Sequence, residues 1–350
     1  MIVERSKLKE LMKNKLQKAG LSPEHAEQTA EILTWSDERG YHSHGAVRVE
    51  YYSERIFKGG INNQPNFKFE KTGPASAIFH GDNGCGYPAS VEAMKESIAL
   101  AKESGVAVVG IEKISHSGSI GYYVEMAAKE GLVALCVCQS DPMVVPYGGA
   151  EPFYGTNPIA FGAPTADERI VVFDMATTVQ AWGKILDKRS RKEPIPDTWA
   201  VDESGHPTTD PNQVNALLPI AGPKGYGLMM MVDVLSGILL GLPYGHNVSS
   251  MYHDLSVGRD LGQLYIVIDP ARFTDPQSFK ENMSKSLDEL TSVKAAPGFD
   301  RVNYPGERAN LRRKAYEDQG GIEIVDDIYE YLISDDIHFD RYDHKNRFAE

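Results

Sequence analysis

A chain of 350 residues, 41% apolar and 24% charged, is long enough for two domains and a sizeable core, and its makeup is that of a soluble globular protein. Its 36 Lys and Arg against 49 Asp and Glu leave a formal charge of −13. That balance argues against a nucleic-acid or anionic-membrane partner, but a local basic pocket could still focus a small anion.

The first elements are helical. Leu8, Leu11, Met12 and Leu16 keep a helical period that Gly20 ends, and Ser22-Pro23 reads as a cap and first-turn proline for a second helix running to Gly40. The next stretch, "GYHSHGAVRVEYY", predicts a helix from about Ser43 that closes at Gly59-Gly60, with His44, Arg48 and Tyr52 on one face.

From about residue 73 the pattern becomes short apolar and β-branched runs: "ASAIFHGD", "GVAVVGIEK", "GLVALCVCQS", "IAFGAP" and "RIVVFDMAT". Helical segments are expected near 87–104, 119–130 and 176–187. A polar, turn-rich excursion follows through "DESGHPTTDP", then a long helix from about Lys224 to Leu240 and a last strand, "GQLYIVIDP". Beyond Pro270 the chain is again mainly helical. The expected division is a helical domain from residues 1–72 and 270–350 around a mixed α/β domain at 73–269.

The most apolar stretch, "YGLMMMVDVLSGILLGL", carries an Asp and glycines and reads as a buried helix, its methionines as core filler, with no membrane span anywhere. The charged, amphipathic N-terminal segment has no signal-peptide core. Cys85, Cys136 and Cys138 form an odd set without scaffold spacing, and the last two would share one face of a strand, so free thiols and a cytoplasmic setting are expected.

The G-x-G-x-x-G dinucleotide fingerprint is missing; "GDNGCG" and "GPKGYG" have another spacing. His116, in "GIEKISHSGSIGYY", follows a strand and opens a helix, where the dipole favours the neutral imidazole that a general base needs. It could equally cap that helix. Arg48 beside His44 suits a carboxylate, or it is a surface arginine paired with Glu50 or Glu54. His42 and His44 lack a third ligand at zinc spacing, although His42, His44 and His116 together would suit a metallohydrolase. Lys224 after a glycine turn at a helix start could hold a phosphate or simply begin a helix. Ser140, Asp141 and Asp174 follow strands, where ligand-facing loops of α/β folds lie, and Asp141 before Pro142 is equally a turn former.

The segments "RGYHSHGAVRVEYYSERI", "GIEKISHSGSIGYY", "CQSDPMVVPYGGAEPFYGTNPIAF", "VVFDMATTVQAWGKILD", "GPKGYGLMMMVDVLSG" and "IEIVDDIYEYLISD" occur in order, and end to end the chain resembles the malate/L-lactate dehydrogenase family that lacks the usual Rossmann fold. The resemblance implies an α+β protein: a non-Rossmann NAD-binding domain with a largely antiparallel mixed sheet, and a helical domain from both chain ends. It implies a homodimer with NAD as cofactor and no metal. His116 matches the proton acceptor, and Ser43, His44 and Arg48 match the substrate-carboxylate region, with Tyr52 and Asp141 offered as polar partners for the rest of the substrate. Ser140, Asp174, Met175, Ala176, Lys224 and the loop Gly306, Glu307 and Arg308 match cofactor contacts. The implied reaction is oxidation of (S)-ureidoglycolate to oxalurate in allantoin degradation, a part of purine metabolism; malate, lactate or a keto sugar acid is the alternative substrate.

Overall fold

The computed structural model describes residues 1–344. A two-residue strand, β1 (Ile2–Val3), leads into α1 (Arg5–Ala19) and α2 (Pro23–Glu38), which pack on each other. Gly20 closes α1 at φ 123°, a conformation natural to glycine, and the Ser22 hydroxyl accepts the His25 N–H to cap α2.

The polar stripe expected to be one helix is broken. Two 3-10 turns, His42–His44 and Ala46–Arg48, precede α3 (Val49–Phe57), with Gly45 between them. Asp37 is the cause. Its buried carboxylate accepts the Ala46 N–H at 2.7 Å and bonds His42 Nδ1 at 2.9 Å, and a Cβ at position 45 would fall 2.1 Å from it.

Then come β2 (Lys68–Lys71), β3 (Ser76–Gly84), α4 (Gly86–Ser104), β4 (Val106–Ile114), α5 (Gly121–Lys129), β5 (Val133–Cys138), β6 (Ile159–Pro164) and β7 (Ile170–Met175). After them lie α6 (Trp182–Arg191), the small pair β8 (Ala200–Val201) and β9 (Ala216–Leu217), α7 (Pro223–Ser236) and β10 (Leu261–Ile268). The chain closes its described part with α8 (Pro276–Ser292), α9 (Glu307–Asp318), β11 (Ile322–Glu323) and α10 (Asp326–Ile333).

Seven strands form one sheet in the order β2-β3-β4-β10-β5-β6-β7, and every pairing is antiparallel except β3 with β4. The expected α+β class with a largely antiparallel mixed sheet is what the chain adopts. The sheet takes in residues 68–71, just ahead of the expected boundary at 72/73, and β1 pairs with β11 to join the two ends of the chain.

Alternation along β5 and β10 sorts the two faces. Ala134, Cys136, Tyr265 and Val267 face the main core with α4 and α5, while Val137 and Leu264 meet Val232 of α7 on the other side. That main core runs on through α1, α2 and α3, so sheet and helices share one interior.

Two helix expectations shift. The helix expected at 176–187 begins only at Trp182, because the backbone of residues 177–179 is extended against 218–220: Ile220 N–H reaches Thr177 O and Val179 N–H reaches Leu218 O. The helix expected to reach Leu240 stops at Ser236, and Gly237 starts a 3-10 turn, Ile238–Leu240. Of its methionines only Met229 is core; Met230 and Met231 are 49% and 40% exposed. All three cysteines are free thiols.

Candidate active site

Strands β4, β5 and β7 run the same way, so their C-terminal ends and the start of β10 share one end of the sheet. The loop after β4 places His116 there, and the loop after β5 places Ser140. Together with His44, Gln139, Thr156 and Gln263 they line a small pocket of about 60 Å³.

His116 Nδ1 lies 2.6 Å from the Tyr52 hydroxyl, which lies 2.9 Å from that of Tyr87. With Nδ1 taken, Nε2 is the ring nitrogen left for a ligand. Burial, then the charges of His44, Arg48 and Arg259, push the His116 pKa well below its usual value. The imidazole is therefore neutral at neutral pH, as a general base must be. Its position beyond a strand end is as read from sequence, but it neither opens nor caps a helix: α5 begins at Gly121 with Ile120 as its cap, so burial and positive neighbours, not a helix dipole, keep the ring neutral.

His44 stacks on His116, ring centroids 5.8 Å apart at 26°, and bonds the Ser43 hydroxyl at 3.0 Å. Burial and then Arg48 push its pKa down to about 4. Arg48 is pinned twice: Nε donates to Ser43 O at 2.7 Å and Nη1 to the Tyr252 hydroxyl at 3.1 Å. Glu50 and Glu54 do not hold it: Arg341 approaches Glu50 at 3.5 Å, and Lys58 pairs with Glu54 at 2.9 Å. A half-buried guanidinium without a carboxylate partner among the described residues, beside two neutral imidazoles, is built for an anion.

The histidines do not converge as a metal site. His42 bonds Asp37 and reaches the Tyr316 hydroxyl at 3.2 Å, away from His116. Among the described residues the one trio of donors close enough to share an ion is Glu54, His338 and Asp340.

Two expected substrate contacts have other work. The Tyr52 hydroxyl is committed to His116 and Tyr87, and burial raises its pKa well above the usual value. Asp141 is buried; one oxygen accepts from Arg259 and the other from the Met251 N–H. These bonds make Tyr52 a partner of His116 Nδ1 and tie Asp141 to Arg259 and the Met251 backbone. Tyr87, Tyr252, Asp37 and Arg259 went unread because no local motif marks them.

The positions read as cofactor contacts sit at strand ends, in loops and at helix starts. Asp174, Met175 and Ala176 end β7; one Asp174 oxygen accepts the Gly121 N–H at 2.8 Å, and burial raises its pKa to about 6. Ser140 bonds Thr156 at 3.0 Å. Lys224 is exposed in the first turn of α7, where Gly222 has φ 58°. Gly306, at φ 91°, caps α9 and packs against the β7 backbone, while Glu307 holds Arg301 and Arg308 is exposed. Gly306 and Arg308 border an open cavity of about 600 Å³ walled by Tyr41, Phe173, Phe299 and Tyr304.

A neutral base beside an anion-holding guanidinium suits a hydroxy acid, and comparison with known proteins agrees. The profile of the malate/L-lactate dehydrogenase family matches residues 3–333. The chain belongs to that family. Within the malate/L-lactate dehydrogenases it is 58% identical over 351 residues to ureidoglycolate dehydrogenase (NAD(+)) of Escherichia coli strain K12, covering 100% of both chains. Among solved structures it resembles the sulfolactate dehydrogenase of Methanocaldococcus jannaschii, at 35% identity and a TM-score of 0.88 over 95% of each chain. The malate dehydrogenase of Pyrococcus horikoshii superposes with a TM-score of 0.86 at 34% identity, covering 95% of this chain and 93% of that one.

Proposed function

We propose that the chain oxidises (S)-ureidoglycolate to oxalurate with NAD, in the breakdown of allantoin. The chemistry rests on one observation: a neutral His116, oriented through Nδ1, beside the pinned and uncompensated Arg48. The choice of substrate rests on the full-length 58% identity to an enzyme of that name.

Arg48 holds the substrate carboxylate, with Ser43 and His44 at its side. His116 Nε2 takes the proton from the substrate hydroxyl, while its Nδ1–H donates to Tyr52 and fixes ring and tautomer. NAD, when bound, supplies the hydride acceptor. Ser140, Asp174, Met175, Ala176, Lys224, Gly306, Glu307 and Arg308 would hold it. They fit such a group: an exposed ammonium at a helix start suits phosphate, and the aromatic walls between Phe173 and Phe299 suit a planar base.

The apolar groups left exposed on and after α7, including Met231, Ile238 and Leu239, support a homodimer through that face. No helix among the described residues is long and apolar enough to cross a membrane, and free thiols support a cytoplasmic setting.

The test is product identification. Purified protein, NAD and (S)-ureidoglycolate should yield NADH and oxalurate, the latter identified directly because the substrate decomposes in solution. NADH with malate, lactate or a keto sugar acid in place of ureidoglycolate would assign the chain to a sibling activity.

A further inference from the structure

After α10 the chain turns back across α1 and α3. The Lys15 ammonium donates to the carbonyls of Ser334 at 2.8 Å and Asp336 at 2.6 Å. Lys58 then gathers Glu54 at 2.9 Å, Asp340 at 2.9 Å and Asp343 at 3.1 Å, so an ammonium already sits at the one donor trio suited to an ion among the described residues. Glu54 also accepts the backbone N–H groups of Tyr342 and Asp343, and Asp343 accepts the Leu255 N–H at 2.9 Å.

These bonds fix the Tyr342 ring. It lies face to face with Tyr252, centroids 6.0 Å apart at 21°, and Tyr51 meets both rings edge-on at 5.6 and 5.7 Å. Tyr252 is the residue whose hydroxyl accepts from Arg48. It stands in an irregular loop, so its ring is held by these neighbours and not by a helix or strand.

We propose that Tyr342 is a positioning residue for substrate binding: it backs Tyr252 and thereby fixes the Arg48 guanidinium. The inference rests on Arg48 as the carboxylate clamp. An arginine on a flexible stem binds a planar carboxylate well only when its fork is already oriented. Ser43 O and the Tyr252 hydroxyl are its two restraints, and the second is only as firm as the ring beneath it.

The experiment compares Tyr342→Ala, Tyr342→Phe, Tyr252→Phe, the Tyr342→Ala/Tyr252→Phe double variant and Arg48→Lys in the full chain, reading KM, kcat, NAD affinity and cooperative melting. Loss of the ring pair should raise the ureidoglycolate KM roughly 3–10-fold, with kcat and NAD affinity little changed. Tyr342→Phe keeps the stacked face and should match wild type. The double variant should do no more harm than the worse single one, because Tyr342 acts through Tyr252. Should Tyr342→Ala not melt cooperatively, Tyr342→Leu takes its place with the same expectation. An unchanged KM, or additive effects in the double variant, while Arg48→Lys raises KM, overturns the role of Tyr342 alone. An unchanged KM in Arg48→Lys removes the clamp and this inference with it.

Discussion

Around His116 the polar side chains have protein partners, whereas among the groups assigned to NAD the cations Lys224 and Arg308 stand open and Glu307 is held by Arg301. His116 leans on Tyr52, Tyr52 on Tyr87, Arg48 on Ser43 and Tyr252, and Asp141 on Arg259 and Met251. Lys224 and Arg308 are exposed, and Asp174 has one oxygen engaged by protein. The difference follows from the tasks. Proton and hydride movement need atoms held in place before the substrate arrives, so orientation is built into the interior. A large cofactor can complete its own contacts, so its site keeps open donors and acceptors.

The comparison can be broken first at its centre. His116→Asn should leave fold and NAD binding intact and lower turnover by roughly 10²–10⁴-fold, the usual worth of a positioned acid or base. Near-normal turnover in a pure preparation would take His116 out of the reaction.

Asp141→Ala tests whether the inner network is structural. It strands the buried Arg259 charge and should cost about 3–5 kcal/mol of stability, read by denaturant unfolding. A stable variant with impaired ureidoglycolate binding would return Asp141 to the substrate.

At the groups assigned to NAD the expected effect is smaller and confined to the cofactor. Lys224→Ala should weaken NAD by about 1.5–3 kcal/mol with folding unchanged, measured by titration. Unaltered affinity would leave the glycine turn as a helix start only.

The mildest test is pH. The base form of His116 exists above its pKa and is lost as pH falls through it. Because burial and positive neighbours lower that pKa, kcat/KM for oxidation should stay level through neutrality and fall only below the ordinary histidine value of about 6.5. An inflection at or above that value would place the imidazole in a more polar setting than the structure gives it.

How much of this was legible in the sequence divides along the same line. Gly20, Ser22-Pro23 and the apolar runs of the sheet carry their geometry locally, and those elements lie as read. The β1–β11 pair is illegible, because two-residue strands from opposite chain ends carry no period. His116 was readable from its place between strand and helix. The hydrogen bonds of Tyr52 and Asp141 were not, since their partners Tyr87 and Arg259 lie 35 and 118 residues away in sequence. The break at Gly45 likewise depends on the Asp37 carboxylate, which periodicity cannot register.

The central claim is that this pre-ordered site is matched to ureidoglycolate, and a ratio tests it most directly. With NAD saturating, kcat/KM should be measured for (S)-ureidoglycolate and for malate in one preparation, with oxalurate quantified as product. The 58% full-length identity to a ureidoglycolate dehydrogenase leads us to expect ureidoglycolate to win, and a site that bonds a polar group can reject a substrate lacking it by up to roughly 10⁴-fold. Equal values, or a preference for malate, would contradict the account.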